Sequence, residues 1–353
     1  MTHVNWKNEL SQAVTNVAEL CRMLGLPTDS GCQSAAKEYP LFVPRSFVGQ
    51  MEKGNSNDPL LLQVLPRQDE MIIVPGFSYD PLHESSSHLQ NKLPDHSLNK
   101  LSNHSSCRIL KKYAGRALLL VSMSCGIHCR FCFRRFFPKP NGFNKNGSNE
   151  SDANESCSNN FELLLEPIRS DPTIEEVILS GGDPLLLDDS ELDRLLHYII
   201  KISHVKRLRI HSRLPIVLPK RLTPELIRIF SLPFPIYLVL HINHPNELSR
   251  EFLDCRQLLH APVILSQTVL LKGINDDVEV LYQLFDRLID NRIVPYYLHQ
   301  LDRVHGAAHF EVSQDRGCRL VEQLRHRLPG YAIPQYVQEI PGMKNKQFIV
   351  YSE

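Results

Sequence analysis

From Arg116 to Gln300 the sequence alternates between two rhythms, and this limits the possible folds more than any other feature. "RALLLVS", "EEVILSG", "RLRIHSR", "IYLVLHIN", "APVILSQTVL" and "VPYYLHQ" are short apolar runs rich in β-branched and aromatic residues. Such runs, bounded by turn signals, read as buried strands. Helical patterns lie between them, among them "DSELDRLLHYIIK", "TPELIRIF" and "DVEVLYQLFDRLID". Strands alternating with helices imply right-handed crossovers and a parallel sheet. About six such units are too few to close an eight-stranded barrel, so an α/β fold with an open or partial barrel is expected. Cys125, Gly181, Gly182, Asp183, Arg213, His241, Gln267 and Asp302 gather just after the strands. In parallel α/β architectures those carboxyl ends open on one mouth, which predicts a single site.

The rest of the chain serves this unit. Residues 1–106 read as a mainly helical extension followed by a mobile linker. "WKNELSQAVTNVAELCRML" repeats apolar residues at helical spacing until Gly25 and Pro27 stop it. "VPRSFVGQMEKGNSNDPLLLQVLP" reads as short helices around a Gly-Asn loop. Residues 83–106 are rich in Ser, Asn and His and nearly patternless, as a solvated connection would be. The barrel is expected over 107–330, with residues 141–160, "NGFNKNGSNESDANESCSNN", as a disordered insertion. A C-terminal segment, 331–353, completes the chain. Lys+Arg and Asp+Glu both total 39 in 353 residues, which argues against duplex nucleic acid or an anionic membrane as a broad partner. No apolar run reaches bilayer length and the N-terminus lacks a secretory pattern, so a cytoplasmic location is expected. In that compartment the nine cysteines are thiols or metal ligands rather than disulfides.

Three of the nine stand apart. "SCGIHCRFCFRRFF" places Cys125, Cys129 and Cys132 within one short loop directly after the first strand. A structural zinc site usually takes four ligands in two separated pairs, and no second pair follows, although His128 could join. Iron–sulfur cubanes are held by thiolates, normally four, and three would leave one iron open to a small chelating molecule. The spacing favours the cluster. Cys21, Cys32, Cys107, Cys157, Cys255 and Cys318 are scattered without ligand spacing and read as ordinary thiols.

The C-x3-C-x2-C pattern, with Phe131 before its last cysteine, resembles that of the radical S-adenosylmethionine enzymes. That resemblance implies a partial (βα)6 barrel. It also implies a [4Fe-4S] cluster on the three cysteines, whose open iron is chelated by S-adenosyl-L-methionine and yields a 5′-deoxyadenosyl radical. "LSGGDPLL", carrying Gly181, Gly182 and Asp183, is similar to the glycine-rich motif for the methionine end of that cofactor. Across residues 39–346 the runs "CRFCFRR", "HSRLPIVLP", "HINHPNE", "SQTVLLKGIND" and "PYYLHQLD" resemble the lysine 2,3-aminomutases.

This closer resemblance implies an isomerase that converts L-lysine to (R)-β-lysine by adenosyl-radical chemistry on a pyridoxal 5′-phosphate aldimine. "LDRVHGAAHF" is most similar to members that supply β-lysine to a ligase modifying elongation factor P. A reductant such as flavodoxin or ferredoxin is implied as well. Residue by residue, "IPGMKNKQF" puts the Schiff-base lysine at Lys346, with Lys344 as competitor, and a deprotonated amine is what that bond requires. Arg134 matches the arginine that grips the substrate carboxylate, unless it only neutralises charge beside the cluster. Asp302 and Glu339 match the acids near the distal ammonium, Glu339 standing where longer enzymes carry Asp. Tyr113 and Arg116 fall on the phosphate side of pyridoxal phosphate, or else brace a strand edge. His241 and Gln267 fall on the S-adenosylmethionine side, with a core histidine as the alternative for His241. His244, Asn246 and Glu247 read as caps of the next helix.

Two rivals remain at this level. One is an aminomutase of another amino acid, although Asp302 and Glu339 would repel an acidic side chain. The other is a non-catalytic metal-binding scaffold that kept the loop. Extended relatives carry a zinc-binding tail. With Asp277 near the place of one zinc cysteine, no zinc is expected here.

Overall fold

The computed structural model describes residues 6–84, 109–137 and 161–350. The expected insertion at 141–160, most of the expected linker, Cys107 and Cys157 lie outside the described residues.

One nine-stranded sheet runs in chain order. Its strands are β1 (Ile109–Leu110), β2 (Arg116–Ser122), β3 (Glu176–Gly181), β4 (Arg207–Ser212), β5 (Ile236–His241), β6 (Val263–Val269), β7 (Val294–His299), β8 (Gln335–Gln338) and β9 (Gln347–Phe348). Strands β2 to β8 are all parallel, while β1 and β9 are antiparallel edges. The six runs read from sequence as strands are β2 to β7. Short β8 and β9 escaped, because "QYVQ" and "QF" carry no apolar run. The segment after residue 330 therefore completes the sheet.

Helices Phe161–Arg169, Asp189–Ile200, Pro224–Phe230, Arg250–Arg256, Val278–Asp290 and Gln314–Arg325 make the six crossovers. Each buries one stripe, such as Leu192, Leu195, Leu196 and Ile199, or Leu281, Leu284, Phe285 and Leu288. Their starts follow local chemistry. Thr223, Ser249, Asp277 and Ser313 each accept a hydrogen bond from the first-turn backbone.

The sheet curls. Tyr113 Oη, just before β2, donates to Glu339 Oε1, just after β8, at 2.7 Å. Six strand spacings of about 4.8 Å would hold those ends roughly 29 Å apart in a flat sheet. Curling turns the strands' carboxyl ends into the rim of a partial barrel. β1 and β9 make no pairing with each other, so the barrel stays open.

The N-terminal extension belongs to the same hydrophobic core. Where the spacing predicts one helix over 6–24, two form, Trp6–Ser11 and Val17–Met23. Val14 between them bridges to Val43, and Asn16 caps the second helix by accepting from Glu19 N at 3.0 Å. A tertiary pairing here outcompetes helical continuity. The extension also beds the cysteine loop, whose His128 N donates to Phe42 O and Arg130 N to Gln63 O. Among the described residues, no helix is long and apolar enough to cross a membrane.

Candidate active site

The cysteine loop leaves β2 at the open rim. Cys125 and Cys132 line one cavity with Tyr39, Arg134, Gly181 and Gly182. Burial, reinforced by neighbouring Cys129, pushes the Cys132 thiol up to about 11, and burial likewise raises Cys129. Arg213 Nη1 stands 2.8 Å from Cys129 Sγ, a charge-assisted donor suited to a thiolate. Half-buried thiols, one of them facing a fixed cation, suit a metal cluster. Among the described residues, no three His, Cys, Asp or Glu side chains converge as around one metal ion. A cubane, whose irons are ligated separately at its corners, does not ask for that convergence, so the three thiols fit a cluster. His128, the other candidate ligand, stacks on Tyr39 with ring centroids 5.0 Å apart and bonds Pro40 O through Nδ1.

Two buried networks hold the loop. Glu70, 1% exposed, binds Arg130 through Nε and Nη2 and Arg135 through Nη2. Arg213 reaches past Cys129 to Gln63 Oε1 and Glu247 Oε2, and Asn243 Nδ2 also donates to Gln63. Glu247 is thus a buried counter-ion rather than a helix cap. None of the three caps the next helix: His244 accepts from Asn246 N at the start of the short turn Pro245–Glu247, and Ser249 caps the helix Arg250–Arg256.

The glycine pair is demanded by packing. A Cβ on Gly182 would lie 2.0 Å from Ser124 O, and one on Gly181 (φ +118°) 2.2 Å from Ser122 O. Their absence lets the end of β3 lie against the cysteine loop. Asp183 is a brace, its carboxylate accepting from Ser212 Oγ and from the backbone N–H groups of Leu185, Arg213 and Leu214. Burial raises its pKa, and those donors offset only part of the shift. His241 and Gln267 are register partners on β5 and β6. Burial, then Arg213, pulls His241 down to about 3, so it stands neutral with Nε2 on Asn243 Oδ1.

From the loop a line of alternating charges crosses the barrel mouth. Arg134 pairs with Glu84 at 2.7 Å, Glu84 with Lys112 at 2.6 Å, Lys112 with Glu339 at 3.2 Å, and Glu339 with Lys346. Burial would raise Glu339, but Lys346 and Lys112 overcome it and hold the acid down to about 2. Asp302 faces the same charges without a comparable gain. Burial, only partly opposed by Lys346, lifts it to about 7. Lys344 is exposed on the outer turn. Arg116 lies at the amino-terminal end of β2 beside that end of the line, 5.8 Å over the Tyr113 ring and 3.8 Å from Glu176.

The chain is 42% identical to an Escherichia coli protein named L-lysine 2,3-aminomutase, over 97% of this chain and 93% of that one. The chain belongs to the L-lysine 2,3-aminomutase family. A Haemophilus influenzae protein of the same name is 39% identical over 97% of this chain and 94% of its own length. The longer Clostridium subterminale protein of that name is 31% identical over 96% of this chain and 76% of its own. No family model matches the chain. Among solved structures, Streptococcus suis SuiB bound to S-adenosylmethionine overlaps 65% of this chain and 51% of its own at TM-score 0.47 and 15% identity, too distant to carry a conclusion.

Within this aminomutase family framework, the structure adds residues the sequence did not single out. Glu84 and Lys112 complete the charge line, yet sit in segments with no strand-end signal. His211 on β4 and His299 on β7 also stand near Lys346, and burial keeps both well below the ordinary histidine range. His211 Nε2 has no hydrogen-bond partner among the described residues. "RIHSR" and "YYLHQ" carry these histidines at or next to their strand ends, so the rule that found His241 could have found them.

Proposed function

We propose that this protein is an L-lysine 2,3-aminomutase that moves the 2-amino group of L-lysine to carbon 3. It would use a [4Fe-4S] cluster on Cys125, Cys129 and Cys132, S-adenosyl-L-methionine, and pyridoxal phosphate on Lys346. The observation that carries the reading is the charge line. Arg134, beside the cluster loop, offers a fork for an α-carboxylate. Glu339 and Asp302, at the far end, offer acids for a distal ammonium. A diamino acid matches that spread of charge, whereas an acidic side chain would meet Glu339 and Asp302 and be repelled.

When bound, pyridoxal phosphate supplies a carbonyl for the amine and a ring that delocalises an unpaired electron, and the cluster with S-adenosylmethionine supplies the radical that abstracts hydrogen. The chain's residues do the rest. Glu339 holds the Lys346 amine inside the barrel and is free to take the substrate ammonium once Lys346 is engaged. Tyr113 steadies Glu339 through its hydroxyl, on the lysine side rather than only a phosphate side. Arg116 remains the candidate for the phosphate. Gly181, Gly182, His241 and Gln267 face the S-adenosylmethionine side, and Asp183 shapes that side as a brace.

The "LDRVHGAAHF" resemblance supports delivery of the product to the ligase that modifies elongation factor P, and flavodoxin or ferredoxin as reductant. An oxygen-labile cluster and reduced thiols suit the cytoplasm.

Anaerobic reconstitution with iron, sulfide and pyridoxal phosphate, then lysine, S-adenosylmethionine and reductant, tests the reading. β-Lysine is expected, and a loaded protein that leaves lysine untouched overturns the substrate. Lys346→Ala should abolish the Schiff-base absorbance while Lys344→Ala keeps it; the opposite pattern moves the site.

A further inference from the structure

Glu84 is only 2% exposed, although it belongs to neither a helix nor a strand. Its oxygens take Arg134 Nε at 2.7 Å and Nη2 at 3.1 Å. That edge of a guanidinium is a fork on which a carboxylate docks with two parallel bonds. Arg134 Nη1 is spent on Ser180 Oγ at 3.2 Å and Gly181 O at 3.4 Å. A ligand carboxylate that is to grip Arg134 therefore finds another carboxylate already there.

We propose that Glu84 is an internal stand-in for the substrate's α-carboxylate, filling the Arg134 fork in the empty site and passing to Lys112 when substrate enters. The inference rests on the reading of Arg134 as the carboxylate site. A displaced buried acid needs a partner, since an unpaired charge is strongly disfavoured there. Lys112 Nζ already lies 2.6 Å from Glu84 Oε1 and can keep it. The Coulomb pull of Arg134 and Lys112 overcomes burial and lowers the Glu84 pKa, so the stand-in is ionised, as the incoming group would be.

The far end repeats the arrangement with opposite sign. Lys346 places its ammonium on Glu339, where a substrate ammonium would go. Once Lys346 is engaged by pyridoxal phosphate, Glu339 is open to the substrate ammonium. A ligand with both groups then pairs with Arg134 and Glu339, while Lys112 keeps Glu84. A diamine without a carboxylate leaves Glu84 on Arg134, so the displacement weighs on the amino acid alone and shows as a difference between lysine and its decarboxylated form.

Calorimetric titration of the pyridoxal-loaded full chain, without S-adenosylmethionine so that nothing turns over, reads the exchange directly. The ligands are L-lysine and 1,5-diaminopentane. Glu84→Gln removes the competing charge and should tighten lysine by about tenfold while moving the diamine less than about twofold. Glu84→Asp, which loosens the hold on Arg134, should tighten lysine by a smaller factor, and it decides the matter if the amide variant does not fold. Weaker or unchanged lysine binding in a folded Glu84 variant overturns the proposal, because an orienting brace would give that result. Arg134→Gln separates the two readings. If it leaves lysine binding intact, the carboxylate site itself is wrong and both fall. If it weakens lysine while Glu84→Gln fails to tighten it, only the stand-in falls.

Discussion

Glu70→Gln tests whether the N-terminal extension locks the cysteine loop. Glu70 Oε1 accepts from Arg67 N at 2.9 Å and Arg130 Nε at 2.9 Å, while Oε2 accepts from Arg130 Nη2 at 2.6 Å and Arg135 Nη2 at 2.8 Å. An amide keeps one acceptor oxygen and turns the other position into an NH2 facing donors. Two hydrogen bonds to cations are lost, each worth about 1.5–3 kcal/mol. The Arg130 and Arg135 side chains, 0% and 1% exposed, also lose their counter-ion. Breaking a buried pair costs about 3–5 kcal/mol, so that total is expected here, or roughly two to four orders of magnitude in the folding equilibrium.

Urea unfolding under argon gives the number. Trp6, the single tryptophan, is buried in the extension with Arg221 4.7 Å over its ring, so its fluorescence reports this region. Arg135 N also donates to Cys132 O, so iron retained per chain should fall in parallel. Glu175→Gln is the control, because the Glu175–Lys206 pair is 42% and 61% exposed and solvent screening leaves such pairs little effect on stability. If Glu70→Gln shifts stability no further than that control, the clamp is not what holds the loop.

Two further outcomes follow from the same geometry. Asp302, lifted to about 7 by burial, is neutral below that pH and ionised above it. An ammonium ligand favours the ionised form, so lysine affinity should rise as pH climbs through about 7 and then level off; Asp302→Asn should flatten that component, and a slope unchanged by the variant would remove Asp302 from the ammonium site. Gly182→Ala should displace the loop and lower iron loading, because its Cβ would meet Ser124 O at 2.0 Å. Gly273→Ala, at φ +75° with nothing within 4 Å, should cost only the local strain of about 1–2 kcal/mol; equal iron loading in both variants would refute the close-approach argument.

The sequence by itself determined the frame. The six mainly apolar runs are β2 to β7, because strands packed between helices and the barrel interior bury most of their residues and that pattern is local. The cysteine loop, the glycine pair and the strand-end residues were legible for the same reason: chemistry at a strand's carboxyl end is a matter of position along the chain. Tertiary structure alone decided what those residues face. Glu339 and Tyr113 are 226 positions apart and meet only because the sheet curls. Glu84 fell in the expected linker and Lys112 carried no signal of its own; curling buries one and half-buries the other against Arg134 and Glu339. "SGGD" read as a binding motif, yet its Asp183 also braces the end of β4, because three of its donors, Ser212, Arg213 and Leu214, lie far off in the sequence. The helix over 6–24 broke for a related reason, since a backbone bridge from Val14 to Val43 outweighs local propensity. Periodicity fixes which face each element buries; long-range closure fixes which charges then have to live together.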